Sequence, residues 1–205
     1  MAKIGDEPGL GNNVIFGTSG DDVFLFGDVA TLGPGMHGGN DIVDALRGDD
    51  RGITGDAIDM VGDARGGNDI VRGGPGNDSF PAPGTSGPVG ISGDAMNMRG
   101  DSRGGNDMVD GGPGNDWVQG DASGMFDNSR GANDVVLGGP GDDVLWGDAS
   151  MLQDNARGGN DLVIGGPGND TIWGDGNLLD PTTHGGPAGR RPGQRWLPVP
   201  GRLRP

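Results

Sequence analysis

Apolar residues recur along this chain in short runs, one pointing one way between two pointing the other, separated by glycine-rich polar stretches. Two positions after a regularly placed aspartate stand Phe24, Val43, Gly52, Val71, Phe80, Val109, Val118, Val136, Leu145, Val163 and Ile172, and all but Gly52 are apolar. A single inward side chain flanked by two outward ones is the period-2 signature of a short strand. The six residues before each strand are rich in glycine, which reaches the positive φ of a tight turn without a Cβ clash. Turn and strand therefore alternate with the period of a nonapeptide.

That nonapeptide recurs in full. GGPGNDSFP (73–81), GGPGNDWVQ (111–119), GGPGDDVLW (138–146) and GGPGNDTIW (165–173) match G-G-x-G-x-D-x-U-x, with U a large apolar residue, at every fixed position. GTSGDDVFL (17–25) lacks only the second glycine, and ALRGDDRGI around Asp50 is the weakest turn of this series. Its aspartates are Asp22, Asp50, Asp78, Asp116, Asp143 and Asp170, at intervals of 28, 28, 38, 27 and 27. A second series in the form G-G-N-D places Asp41, Asp69, Asp107, Asp134 and Asp161, each one nonapeptide before a member of the first. The long interval contains PAPGTSGPVGIS (81–92), a Pro/Gly-rich segment read as a loop extruded from one coil.

The third nonapeptide of each unit opens with Gly-Asp, at Asp28, Asp56, Asp94, Asp121, Asp148 and Asp175. Where the motif would put its aspartate stand Leu32, Met60, Met98, Met125, Leu152 and Leu179. This column reads as core filler in a turn that binds no ion, with the Gly-Asp carboxylates as turn residues or outer ligands.

Composition sharpens the reading. Of 30 acidic residues only Glu7 is not aspartate, there are 48 glycines, and the net charge is −16. A solvating charge has no reason to exclude glutamate, whereas a short carboxylate beside glycine suits a tight turn of oxygen ligands. Asn would serve a metal-free Asx turn equally, yet position six stays Asp while position five is often Asn. The acidity disfavours nucleic acid, which needs basic patches. No run approaches the length of a membrane span, so no membrane insertion is expected. With no cysteine, two histidines (His37 and His184) and a single lysine (Lys3), no familiar catalytic constellation can be assembled, and the chain is not expected to be an enzyme.

These nonapeptides resemble the RTX, or hemolysin-type calcium-binding, repeats over residues 17–180. The resemblance implies an all-β fold, a parallel β-roll or β-helix solenoid, that holds Ca²⁺ between adjacent coils. The expected metal ligands are Asp22, Asp41, Asp50, Asp69, Asp78, Asp107, Asp116, Asp134, Asp143, Asp161 and Asp170. The family also implies secretion, by the type I route, and a two-sided coil of two nonapeptides. The period within this sequence implies instead a three-sided coil of three nonapeptides, and both remain open here. Residues 1–16 read as a cap segment, with Val14, Ile15 and Phe16 able to begin a strand.

The outward positions seven and nine carry Trp117, Trp146 and Trp173. Residues 181–205 are expected to be disordered. From Gly185 onward the chain has five arginines, five prolines and no acid. Arg190 to Arg195 can be encoded as CGG CGG CCC GGG CAA CGA, which one nucleotide later, completed by the TGG of Trp196, spells Gly-Gly-Pro-Gly-Asn-Asp, so the tail reads as a frameshifted continuation of the array. Two functions follow: a Ca²⁺-binding structural module of a secreted protein that folds on the ion, or an adhesin-like protein whose recognition face, for a protein or glycan partner, Ca²⁺ rigidifies.

Overall fold

The computed structural model describes residues 9–78, 90–176, 178–179 and 195–196. Among these there is no helix, and so none long and apolar enough to cross a membrane. Nineteen short strands, β1 to β19 in chain order, form three parallel sheets. Sheet 1 contains β1 (Val14–Phe16), β4 (Ile42–Asp44), β7 (Ile70–Arg72), β10 (Met108–Asp110), β13 (Val135–Leu137) and β16 (Leu162–Ile164). Sheet 2 contains β2 (Val23–Phe26), β5 (Arg51–Thr54), β8 (Ile91–Ser92), β11 (Trp117–Gln119), β14 (Val144–Trp146), β17 (Thr171–Trp173) and β19 (Arg195–Trp196). Sheet 3 contains β3 (Thr31–Leu32), β6 (Ala57–Met60), β9 (Ala95–Met98), β12 (Ala122–Met125), β15 (Ala149–Leu152) and β18 (Leu178–Leu179).

Each coil thus supplies one strand to every sheet, which makes the chain a three-sided solenoid. Register settles the coil size: Val109 pairs with Val136 and Val118 with Leu145, in each case three nonapeptides further along the chain. The two-sided coil of two nonapeptides implied by family resemblance is therefore not the one built. The third side exists because the Leu/Met column needs somewhere to be buried. Leu32, Met60, Met98, Met125 and Leu152 pack with Ala57, Ala95, Ala122 and Ala149 into a core of their own. A second core of Ile15, Leu25, Val43, Ile53, Val71, Ile91, Val109, Val118, Val136, Leu145, Val163 and Ile172 lies between sheets 1 and 2. Each coil contributes a few aliphatic side chains that stack on those above and below, the one-dimensional packing of a repeat protein.

Three inward positions differ from the reading that counts two places on from the aspartate. In the first two coils the inward residues are Leu25 and Ile53, not Phe24 and Gly52. Those coils exceed three nonapeptides by a single residue, and the extra residue forms a bulge in sheet 2 at positive φ, 59° at Phe24 and 68° at Gly52. The strand after Asp50 is consequently not defective, since Ile53 fills its place in the core. In the third coil the inward position belongs to Ile91, which pairs with Ile53 and Val118. Phe80, expected there, and most of the 81–92 insertion lie outside the described residues.

The outward tryptophans pack on one another. Parallel register stacks Trp146 directly on Trp173, with ring centroids 5.2 Å apart and planes 8° from parallel. Trp117 meets Trp146 edge-on at 5.9 Å. Sandwiched this way, Trp146 is only 2% exposed and is no part of an outward binding face. Of the tail, residues 181–205, only Arg195–Trp196 falls within the described residues, where it pairs in parallel with Thr171–Ile172; the expectation of disorder for the remainder lies outside them.

One turn carries local strain. Gly74, Gly112, Gly139 and Gly166, each the second residue of a G-G-x-G turn, have φ between 98° and 108°, and Leu46 occupies the equivalent place at 76°. A β-carbon in that region costs about 1–2 kcal/mol, against about 0.5–1 kcal/mol of extra chain entropy for glycine. Leu46→Gly should therefore stabilise the fold by about 0.5–1 kcal/mol, seen as a higher melting temperature in Ca²⁺. An unchanged or lower melting point would contradict this account of the turn.

Candidate metal centre

Two of the solenoid's corners are lined with aspartate. At the corner where sheet 1 turns into sheet 2 stand Asp22, Asp50, Asp78, Asp116, Asp143 and Asp170, one per coil and all buried. They form a ladder. The Asp22 N–H donates to Asp50 Oδ1 at 2.7 Å, Asp50 to Asp78 at 2.8 Å, Asp78 to Asp116 at 2.8 Å, Asp116 to Asp143 at 3.0 Å and Asp143 to Asp170 at 3.1 Å. From Asp50 onward, one oxygen of each carboxylate is thereby consumed by the backbone of the coil before it, while Asp22 accepts from Thr18 of its own turn. The other, Oδ2, has no hydrogen-bond partner at Asp50, Asp78, Asp116 and Asp143, although it is buried.

What that free oxygen faces follows from the glycines. A β-carbon at Gly111 would stand 2.7 Å from Asp116 Oδ2 and 2.8 Å from the Gly138 carbonyl oxygen of the next coil. Glycine here keeps open a space bounded by a carboxylate and a carbonyl from two successive coils. Hard oxygen donors of both kinds are what Ca²⁺ takes.

The second corner, which leads from sheet 3 to sheet 1, holds Asp41, Asp69, Asp107, Asp134 and Asp161 in the same arrangement. Their N–H groups climb the stack from Asp41 to Asp161, at 2.7 to 3.0 Å, and Asn13 begins it by donating to Asp41 at 2.6 Å. Oδ2 is unpartnered and buried at Asp41, Asp69, Asp107 and Asp134. A Cβ on Gly27, Gly55, Gly93 or Gly120 would collide with that oxygen and with the carbonyl oxygen of the matching glycine one coil on.

This corner contains a further column that the motif missed. The Gly-Asp residues Asp28, Asp56, Asp94, Asp121 and Asp148, read above as flanking an ion-free turn, are all buried. They converge on the Asp41 ladder: carboxylate oxygens of Asp28, Asp41 and Asp56 lie within 4.8 Å of one another. Each also caps the next turn downstream, accepting from the N–H of Gly39, Gly67, Gly105, Ala132 and Gly159 respectively. The second oxygen is left over at Asp56, Asp94, Asp121 and Asp148. A legible signal existed. The separation from Asp28 to Asp41 recurs unchanged from Asp56 to Asp69, Asp94 to Asp107, Asp121 to Asp134 and Asp148 to Asp161, while the coil length itself varies.

Burial dominates the electrostatics. It pushes Asp50 and Asp143 from 3.8 up to about 6, Asp41, Asp78 and Asp161 to about 7, and Asp69 and Asp116 to about 8. Asp56, Asp94, Asp107, Asp121, Asp134 and Asp148 are driven well above the ordinary range, first by burial and, at all but Asp134, next by a neighbouring carboxylate. Stacked carboxylates with so little water need either protons or a cation. The outer position-five column behaves differently: exposed Asn40, Asn68, Asn106, Asn133 and Asn160 form a ladder of neutral amides.

The model of the RTX calcium-binding nonapeptide repeat (4 copies) matches residues 9–28, 63–80, 101–123, 130–150 and 155–177, just over half of the chain. No curated protein and no solved structure matches it. RTX repeats bind Ca²⁺, and the buried oxygens described above are of the hard, anionic kind that ion takes. This chain belongs to the RTX calcium-binding nonapeptide repeat family.

Proposed function

We propose that this chain is a Ca²⁺-binding structural module of a secreted protein, and that its solenoid forms only when Ca²⁺ fills both aspartate corners. The observation that carries the reading is the set of buried carboxylate oxygens without hydrogen-bond partners, repeated from coil to coil at both corners. Asp22, Asp50, Asp78, Asp116, Asp143 and Asp170, with glycine carbonyls, would hold one row of ions. Asp41, Asp69, Asp107, Asp134 and Asp161 would hold the other, with the Gly-Asp column contributing directly. The RTX family is typical of secreted proteins, and sites built from flexible turns fit the weak affinities of extracellular modules, about 10⁻⁴ to 10⁻³ M. The test is to strip the chain with EGTA and titrate it with Ca²⁺ while following its β-sheet circular dichroism. Identical spectra throughout would overturn the reading.

Direct participation of the Gly-Asp column has its own measurement. Asp121→Asn preserves an oxygen to accept from Ala132 but replaces a charge that faces Asp94, Asp134 and Asp148, so Ca²⁺ affinity by calorimetry should fall at least about tenfold, near 1.4 kcal/mol. Asp142→Asn should change nothing. Asp142 is exposed, its Oδ1 accepts from Asn169, and its neighbours in the column, Asn115 and Asn169, are already Asn. Equal losses in the two variants would exclude the Gly-Asp column from the site.

A further inference from the structure

The first five coils each place one residue at the same outer position just ahead of the G-G-N-D turn. His37 pairs with Arg65, Arg65 with Arg103, Arg103 with Arg130 and Arg130 with Arg157, all as parallel bridges. All five are exposed. Four of the eight arginines that precede the tail therefore stand in one column, at a spacing of about 4.8 Å.

Such a column is unexpected on energetic grounds. Like charges directly opposite each other in a sheet repel, and a chain with 30 acidic residues has ample means to neutralise them. It does not do so. None of the four guanidinium groups forms a hydrogen bond or ion pair with a described residue, in contrast to Arg72, which reaches Asp44 at 4.0 Å. Nor do they serve the metal corner, because the leading influences on its aspartates are burial, hydrogen bonds and other aspartates.

Three places further on runs the exposed ladder Asn68, Asn106, Asn133 and Asn160. Each amide nitrogen above Asn68 gives one hydrogen to the asparagine before it and keeps a second. The surface therefore carries two parallel lines, one of unpaired cations and one of amide donors, both repeating once per coil.

We propose that this strip binds a linear anionic polysaccharide along the solenoid axis. A guanidinium column matches carboxylate or sulfate groups in a line, and the coil spacing is close to the length of one sugar ring in an extended chain. The amide ladder supplies donors for ring hydroxyls. Single-stranded nucleic acid is the poorer fit, since its readers stack bases on a series of aromatic platforms and the column offers only the His37 ring at one end. The strip exists only in the folded solenoid, so the proposal rests on the Ca²⁺-held fold; Ca²⁺ bound in the corners also cancels much of the acidic field that would repel a polyanion.

The experiment uses the full chain in millimolar Ca²⁺, with circular dichroism confirming the fold in every sample. The probes are a sulfated linear polysaccharide, a uronate polymer, neutral dextran and a single-stranded oligonucleotide. Binding to at least one of the two acidic polysaccharides is expected, the preferred one distinguishing sulfate from carboxylate recognition, with dextran unbound. Arg103→Gln/Arg130→Gln should weaken that binding at least tenfold and reduce its salt slope by about two, while leaving the Ca²⁺ midpoint of folding unchanged. Unaltered binding in the double variant, equal binding of dextran, no binding of either acidic polymer by the folded chain, or tighter binding of the oligonucleotide would each overturn the proposal. A double variant that no longer folds in Ca²⁺ would instead show the column to be structural, and would overturn it equally. A wild-type chain that is β-rich without Ca²⁺ would refute the metal reading and leave the strip to be judged by its own probes.

Discussion

In EGTA at neutral pH the chain should lose most of its β-sheet signal, and millimolar Ca²⁺ should restore it in a steep, cooperative transition. The magnitude follows from the buried oxygens. Among the described residues, twelve aspartates each keep one buried carboxylate oxygen with no hydrogen-bond partner. Leaving a buried polar group unsatisfied costs about 1–3 kcal/mol, and more when it is charged. A domain's whole stability is only about 5–15 kcal/mol. Even at the low end, twelve such groups consume that margin, and repulsion between stacked carboxylates adds to the cost. Two thin columns of aliphatic side chains cannot make up the difference. Ca²⁺ binding then appears directly as folding free energy. Because a site at either corner would draw its oxygens from two successive coils, filling one should pre-form the next, and the titration should be steeper than that of independent sites. A β-rich spectrum that EGTA leaves unchanged would show that the apolar cores hold the solenoid without the ion.

Much of this was legible from residue spacing, and what was not had a common cause. The strand columns, the parallel solenoid and the two motif aspartate ladders follow from counting forward from each aspartate. That count fails at Phe24 and Gly52, where strands absorb an extra residue, and in the third coil the inward place is held by Ile91, beyond the insertion. Counting backward from the next Gly-Asp places every inward residue of sheet 2 correctly: Leu25, Ile53, Ile91, Val118, Leu145 and Ile172 all stand two before that glycine. The turns at both strand ends are pinned by ladders of hydrogen bonds, so extra residues accumulate just after the first turn and the second sets which side faces in. The Gly-Asp carboxylates, read as turn residues or outer ligands, were undervalued for a related reason. They sit outside position six of the nonapeptide, and only their fixed distance to the following G-N-D turn marks them as partners.

Without Ca²⁺, lowering the pH should substitute partly for the ion. Burial, the leading cause throughout, raises the aspartates of the solenoid to about 6 at Asp50 and Asp143, about 7 at Asp41, Asp78 and Asp161, and about 8 at Asp69 and Asp116, all from 3.8. Between about pH 4 and these values the folded, ion-free chain binds protons that the unfolded chain has released. Linkage makes stability fall with rising pH wherever the folded state holds more protons. The ion-free solenoid is therefore favoured near pH 5 and progressively disfavoured through pH 6 to 8. Ca²⁺ acts with the opposite sign, because its ligands must be deprotonated, and its midpoint should drop over the same interval. Measured in EGTA, the β-sheet signal should be larger at pH 5 than at pH 8, at a pH still above the isoelectric point of about 4.1, where net charge keeps chains apart. In Ca²⁺ the order should reverse, with less ion needed at pH 8 than at pH 5. A metal-free signal that is flat or rises between pH 5 and 8 would mean that the buried carboxylates do not govern the fold, and that the ladders of Asp50, Asp69 and Asp116 are satisfied by something other than protons or Ca²⁺.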